Sequence, residues 1–138
     1  MILMGIQFAK MHGAGNDFVL IDAIQGRLCA NLSDFSRKIC HRQLGIGADQ
    51  VLVLRESEKA DAYMEIYNAD GSKVEMCGNG IRSFAQFLQM RGVVFQDSMS
   101  IETMSGVVQV EIKEKQGVVY QVQVCLLYTS DAADEGHC

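Results

Sequence analysis

Short runs rich in β-branched and aromatic residues dominate this chain, and helical periodicity shows in only two places. V-L-V-L at 51–54, A-Y-M-E-I-Y at 62–67, I-E-T-M at 101–104, V-V-Q-V-E-I at 107–112 and V-V-Y-Q-V-Q-V at 118–124 each read as a strand. S-G and K-Q-G separate the last three. Near the start, residues 6–10 and 18–22 read as strands on either side of a loop, M-H-G-A-G-N-D, at 11–17. The spacing predicts a first helix over 33–43, with Asn31 or Ser33 as its cap. Leu32, Phe35 and Ile39 form its apolar stripe, and Gly45 lies just past its end. The second helix follows Cys77. Ile81, Phe84, Ala85 and Leu88 fall at i, i+3, i+4 and i+7, and Gly92 closes the run. Many short strands around one strongly apolar helix make an α+β domain. No internal repeat and no linker interrupts it.

The pattern fails after Val124. From Cys125 the chain reads C-L-L-Y-T-S-D-A-A-D-E-G-H-C, with neither strand alternation nor a helical stripe. This stretch resembles the conceptual translation of a sequencing-library adapter. The expected organisation is therefore one domain over 1–124 and a non-native tail over 125–138.

Composition narrows the function classes. The chain is 49% hydrophobic and 21% charged, the balance of a folded protein. Its formal net charge is -5, from 12 Lys and Arg against 17 Asp and Glu, with no basic cluster to follow a phosphate backbone, so nucleic acid is not an expected partner. No apolar run reaches the roughly 18 residues of a membrane span, and M-I-L-M-G-I-Q-F reads as a strand rather than a signal peptide. The five cysteines form no C-x-x-C pair and no zinc spacing. An odd number of thiols without a secretion signal points to the cytoplasm.

The chemically loaded segment is V-E-M-C-G-N-G-I-R at 74–82. A lone cysteine is most often a buried, inert small hydrophobe, and that reading holds for Cys29 and Cys40. Cys77 differs because it stands at the expected start of the second helix. Unpaired N–H groups there stabilise a thiolate and can also cradle a carboxylate. Gly78 and Gly80 carry no Cβ to keep a ligand away. Asn16 lies in a polar loop between a glycine turn and an acidic residue, Gln50 at the mouth of a strand and Asn68 at a strand end, and carboxamides there offer donors and acceptors suited to a zwitterion. Each taken singly is also an ordinary turn or cap residue, N-A-D-G being a good β-turn. Neither G-A-G-N nor G-I-G-A-D has the lysine or the spacing of a phosphate loop.

Taken together, F-A-K-M-H-G-A-G-N-D-F at 8–18, G-I-G-A-D-Q at 45–50, Y-N-A-D-G-S at 67–72 and E-M-C-G-N-G-I-R at 75–82 resemble diaminopimelate epimerases, in that family's order and spacing. T-M-S-G at 103–106 is similar to a weaker family segment. The resemblance spans residues 6–124. It implies a curved mixed sheet wrapped around a central helix, one half of a two-domain fold with the active site in the cleft between halves. It further implies a homodimeric parent, and epimerisation of LL-diaminopimelate to the meso form for lysine and peptidoglycan synthesis, without pyridoxal phosphate, metal or other cofactor. Two cysteines act on opposite faces of the α-carbon. Cys77 matches the first, and Asn16, Gln50, Asn68, Gly78 and Asn79 match substrate-contacting positions. Nothing after residue 124 resembles the Cys-Gly-Thr-Gly setting of the second cysteine, so this chain alone is expected to be inactive. Relatives on the same fold, proline racemase-like proteins, usually carry histidine where Asn79 stands. A phenazine-biosynthesis isomerase-like protein would lack the thiol. A non-catalytic domain with a structural or redox-sensitive Cys77, and a site shared by two copies, are the remaining alternatives.

Overall fold

In a computed structural model, residues 6–13, 15–26, 31–116 and 119–126 are described, those at 114–116, 119–121 and 125–126 by their backbone alone. The elements run β1 (Ala9–Gly13), β2 (Asn16–Asp22), α1 (Leu32–Cys40), β3 (Gln50–Arg55), β4 (Ala62–Asn68), β5 (Lys73–Val74), α2 (Gly78–Met90), β6 (Ser98–Thr103), β7 (Gly106–Gln116) and β8 (Val119–Leu126). Seven strands form a mixed sheet in the order β1-β2-β3-β4-β6-β7-β8, and β5 adds to β4 beside β6. The pairs β2/β3 and β4/β6 are parallel, and α1 and α2 are the helices within those two crossovers.

Strand alternation divides the interior into two layers. Phe18, Leu20, Leu52, Leu54, Met64 and Ile66 face the same core as Ile81, Phe84, Ala85 and Leu88 of α2. Val19, Ile21, Val51 and Val53 point the other way, onto the side covered by α1, where Leu32 and Cys40 are buried with them. The helix α2 packs against β1 and β2 at one end of the strand order and against β8 at the other. The sheet therefore curls around α2, as expected. No helix among the described residues is long and apolar enough to cross a membrane.

Several boundaries differ from the sequence reading, three of them for a plain physical reason. The segment 11–17 is mostly strand, because Met11↔Phe18, His12↔Asp17 and Gly13↔Asn16 continue the β1/β2 ladder almost to its turn. Helix α1 ends at Cys40 rather than 43. The His41 backbone turns extended, and its Nδ1 accepts the amides of Gln43 and Leu44 at 3.2 and 3.0 Å, fixing a turn in place of another helical residue. The amide of Gly45 then bonds the His41 carbonyl (2.9 Å), and those of Ile46 and Gly47 bond Ile39 (2.8 and 3.0 Å). Last, β8 continues through Cys125 and Leu126, opposite Gln109 and Val108. A backbone ladder needs no side-chain alternation, so strand pairing outlasts the pattern; residues 127–138 lie outside the described residues.

Candidate active site

Cys77 is the N-cap of α2, with extended backbone (φ -146°, ψ 113°), and its carbonyl accepts the Ile81 amide at 2.9 Å. Its side chain makes no capping hydrogen bond, so the first-turn amides are not taken up by the thiol. The thiol is half-buried against the α2 core. A Cβ on Gly80 would lie 3.5 Å from Cys77 Sγ and 3.4 Å from Leu52. These are ordinary contact distances at a buried position, so Gly80 offers no surface for the approach of a ligand. Gly78 is the open one: it is exposed, and among the described residues beyond its chain neighbours only Arg82 comes within 4 Å of where its Cβ would be. Glu75 is exposed.

Sheet register brings the carboxamides to the same end. Gln50 opens β3 opposite Phe18 of the parallel strand β2, and opposite Asn68 at the end of β4. Asn16 opens β2, two residues before Phe18. The Asn79 Nδ2 donates to Asn16 Oδ1 at 2.9 Å, which ties the start of α2 to the start of β2. The Gln50 Nε2 donates to Asn68 Oδ1 at 3.0 Å, and Asn68 Nδ2 to Ser72 Oγ at 3.1 Å. The Ser72 hydroxyl in turn donates to Asp70 at 2.6 Å, and this bond, first, with the Ser72 amide, lowers the Asp70 carboxyl below its ordinary value. All six predicted residues are thus gathered where β2 and β3 begin, β4 ends and α2 starts. The Gln50 Oε1 is buried and has no hydrogen-bond partner among the described residues. An acceptor in that state costs about 1–3 kcal/mol, which a ligand N–H would recover.

Three charged residues missed by the sequence reading support this end of the sheet. Arg42 grips Asp17 with two hydrogen bonds (2.7 and 2.9 Å) and reaches Asp49 at 3.2 Å. The Arg42 guanidinium, joined by Lys10 and the Asp49 amide, holds the Asp17 carboxyl far below the usual carboxylate range against the opposing effect of burial. Asp49 Oδ2 accepts the Asp17 amide at 3.0 Å and Asn16 Nδ2 at 3.4 Å. The clue in the sequence was the pair N-D and D-Q, two acids each beside a carboxamide and each in need of a cation. Arg42 lies 25 residues from Asp17, and no periodicity connects them.

Cys40 is the other described cysteine whose side chain can be compared. It is 3% exposed, and burial pushes its thiol up to about 11, so it is no neutral-pH base. Cys29 and Cys138 lie outside the described residues, as does the side chain of Cys125. A cavity of about 580 Å³ lies at the other end of β2 and α2, lined by Phe8, Leu20, Phe87, Met90 and the Asp22–Arg91 ion pair. None of the six residues lines it. The charged pair among its described lining residues is already mutually satisfied.

Residues 8–125 match the sequence model of the family described as Diaminopimelate epimerase. Among curated proteins, the diaminopimelate epimerase of Caldanaerobacter subterraneus subsp. tengcongensis is 44% identical over 119 residues, covering 86% of this chain and 42% of that protein. The one from Desulfitobacterium hafniense is 47% identical over 110 residues, covering 78% and 38%. The chain thus spans about two fifths of the length of these relatives. Among solved structures, a hydroxyproline epimerase from Agrobacterium vitis superposes with a TM-score of 0.66 at 15% identity, covering 88% of this chain and 41% of that one. A Bacillus anthracis phenazine biosynthesis protein of the PhzF family gives 0.63 at 20% identity, covering 87% and 39%. Those two likenesses concern the fold alone.

Proposed function

Since this chain belongs to the diaminopimelate epimerase family, we propose that it is the Cys77-bearing part of a cofactor-independent epimerase interconverting LL- and meso-2,6-diaminopimelate, a step toward lysine and peptidoglycan. The observation that carries the reading is the Asn79–Asn16 hydrogen bond, which sets a carboxamide array beside a thiol at a helix N-terminus.

In this reading Cys77, as thiolate, removes the α-proton. The C–H bond breaks, its electron pair stays on the α-carbon, and the thiolate becomes a thiol. A second thiol on the opposite face delivers its proton to that electron pair and is left as thiolate. No atom is gained or lost; the two thiols exchange protonation states. The α-proton of an amino acid is only weakly acidic, so the charge developing toward the substrate carboxylate has to be met by preorganised donors. The first-turn amides at Gly78 and Asn79 are suited to that task. Gln50 and Asn68 are suited to the distal amino-acid group, with Gln50 Oε1 as an acceptor for its ammonium. Cys40 is too deeply buried to be the second base. We assign that base to the length that the relatives have and this chain does not span, in a homodimeric cytoplasmic parent. On this assignment residues 1–124 form one of two catalytic halves and 125–138 are non-native.

Peptide-resolved alkylation of Cys77 tests the reading. Diaminopimelate should slow iodoacetamide labelling of Cys77 and leave that of Cys40 unchanged, whereas proline should protect neither. This chain alone should show no epimerisation. Equal labelling with and without diaminopimelate would sink the proposal. Measurable turnover abolished by Cys77→Ala would instead favour a site shared by two copies.

A further inference from the structure

We propose that Asp49, clamped by Arg42 and by the Asp17 amide, is a positioning residue that fixes the hydrogen-bond polarity of the Asn16–Asn79 pair beside Cys77. The proposal rests on the reading of this end of the sheet as a substrate site.

A carboxamide has two ends of nearly equal shape and opposite hydrogen-bonding character, so its neighbours decide which way it faces. A carboxylate only accepts. Asp49 Oδ2 therefore selects the Nδ2 end of Asn16, at 3.4 Å, and turns Asn16 Oδ1 toward α2. Asn79 must then present its own Nδ2, as it does at 2.9 Å. That leaves Asn79 Oδ1 to accept from a ligand's ammonium, next to first-turn amides that receive its carboxylate. With the chain of amides reversed, Asn79 would present a donor to a cation. The clamp makes reversal costly. Asp49 Oδ2 also accepts the Asp17 amide at 3.0 Å, and Oδ1 takes Arg42 at 3.2 Å. Arg42 is itself held bidentately by Asp17, which accepts the Asp49 amide at 2.9 Å and Lys10 at 3.2 Å. A carboxylate fastened at both oxygens cannot follow a flipped amide.

Side-chain amide NMR of the intact chain, paired with Cys77 alkylation in the presence of diaminopimelate, tests this. In the wild type one Nδ2 hydrogen each of Asn16 and Asn79 should be shifted downfield and exchange slowly. Asp49→Ala, which leaves no acceptor at this position, should erase that signature at both residues. It should also raise the diaminopimelate concentration that half-protects Cys77 by roughly tenfold, the scale of one misdirected hydrogen bond to a charged group. Asp49→Glu restores a carboxylate acceptor for Asn16 Nδ2 and should bring back the Asn79 signal and the protection together. If Asp49→Ala does not fold, Asp49→Ser keeps an acceptor for the Asp17 amide and should likewise erase the Asn79 signature. An unchanged Asn79 signal in Asp49→Ala, or an Asp49→Glu variant that recovers only thermal stability, overturns the proposal. A wild type with the amide signature but no protection of Cys77 defeats the substrate reading instead; Asp49 as positioner is judged on the amide signals alone.

Discussion

At Gly71 the chain runs at φ +90°, and a Cβ there would lie 2.8 Å from the Ser33 carbonyl and 2.6 Å from the Arg37 guanidinium. The residue closes the turn that holds Asn68, its amide bonding the Asn68 carbonyl at 2.9 Å. Gly71→Ala therefore combines a left-handed backbone with a clash against α1. It should cost about 1–3 kcal/mol in urea unfolding. Gly80 gives the opposite expectation. Its position is helical, and a methyl group would meet Leu52 and Cys77 at ordinary contact distance. Gly80→Ala should leave stability unchanged or raise it by up to about 1 kcal/mol, while slowing alkylation of Cys77 by crowding Sγ. At this scale the sequence was informative wherever a local motif fixed a residue's place: Cys77 at the head of α2 with Gly78 and Asn79, or Asn68 in its turn. Asp49 and Arg42 escaped notice because their meaning lies in partners that only the folded sheet supplies.

Helix α2 was the most legible element, because its stripe has one solution: Ile81, Phe84, Ala85 and Leu88 are all fully buried. Phe84→Ala should remove about 3–5 kcal/mol, read as a lowered denaturation midpoint with the same slope. The first hairpin was the least legible. Glycine, asparagine and aspartate at 13–17 read as a loop, yet the ladder needs only backbone, and Gly13↔Asn16 closes it. That misreading mattered for the site, since it hid the fact that Asn16 is held in a strand and not on a free loop. The end of α1 was missed for a related reason. A histidine side chain bonding two amides ahead of it competes with the helix, and no hydrophobic pattern records such a bond.

For the molecule as a whole, two buried or clamped groups each add a pH dependence to stability. Asp17 has its folded pKa depressed below the unfolded value. Its contribution is complete above the ordinary carboxylate pKa and is lost as pH falls through the depressed folded value. Arg42→Ala should flatten this acid limb of a stability–pH curve measured by urea titration. Cys40 acts at the other side. Its folded pKa is raised from 9.0 to about 11, so above pH 9 the unfolded chain ionises first and stability falls, by up to about 1.4 kcal/mol per pH unit, until pH 11. Cys40→Ala should remove that alkaline slope, although it lowers stability at neutral pH by opening a small void.

The curl of the sheet also has a consequence in time. Helix α2 meets β1 and β8, two strands at opposite ends of the chain: Arg82 Nε bonds the Val122 carbonyl at 3.3 Å, while Ala9 and Met11 pack into the same core as Val122 and Val124. Contacts between residues so far apart in sequence must wait for loop closure, and a fold dominated by them assembles slowly. The parallel β2/β3 and β4/β6 pairings add to that delay. The helix that carries Cys77 at its head is seated only when the last strand arrives. During synthesis, then, the thiol remains without its finished surroundings until almost the whole of this region has left the ribosome.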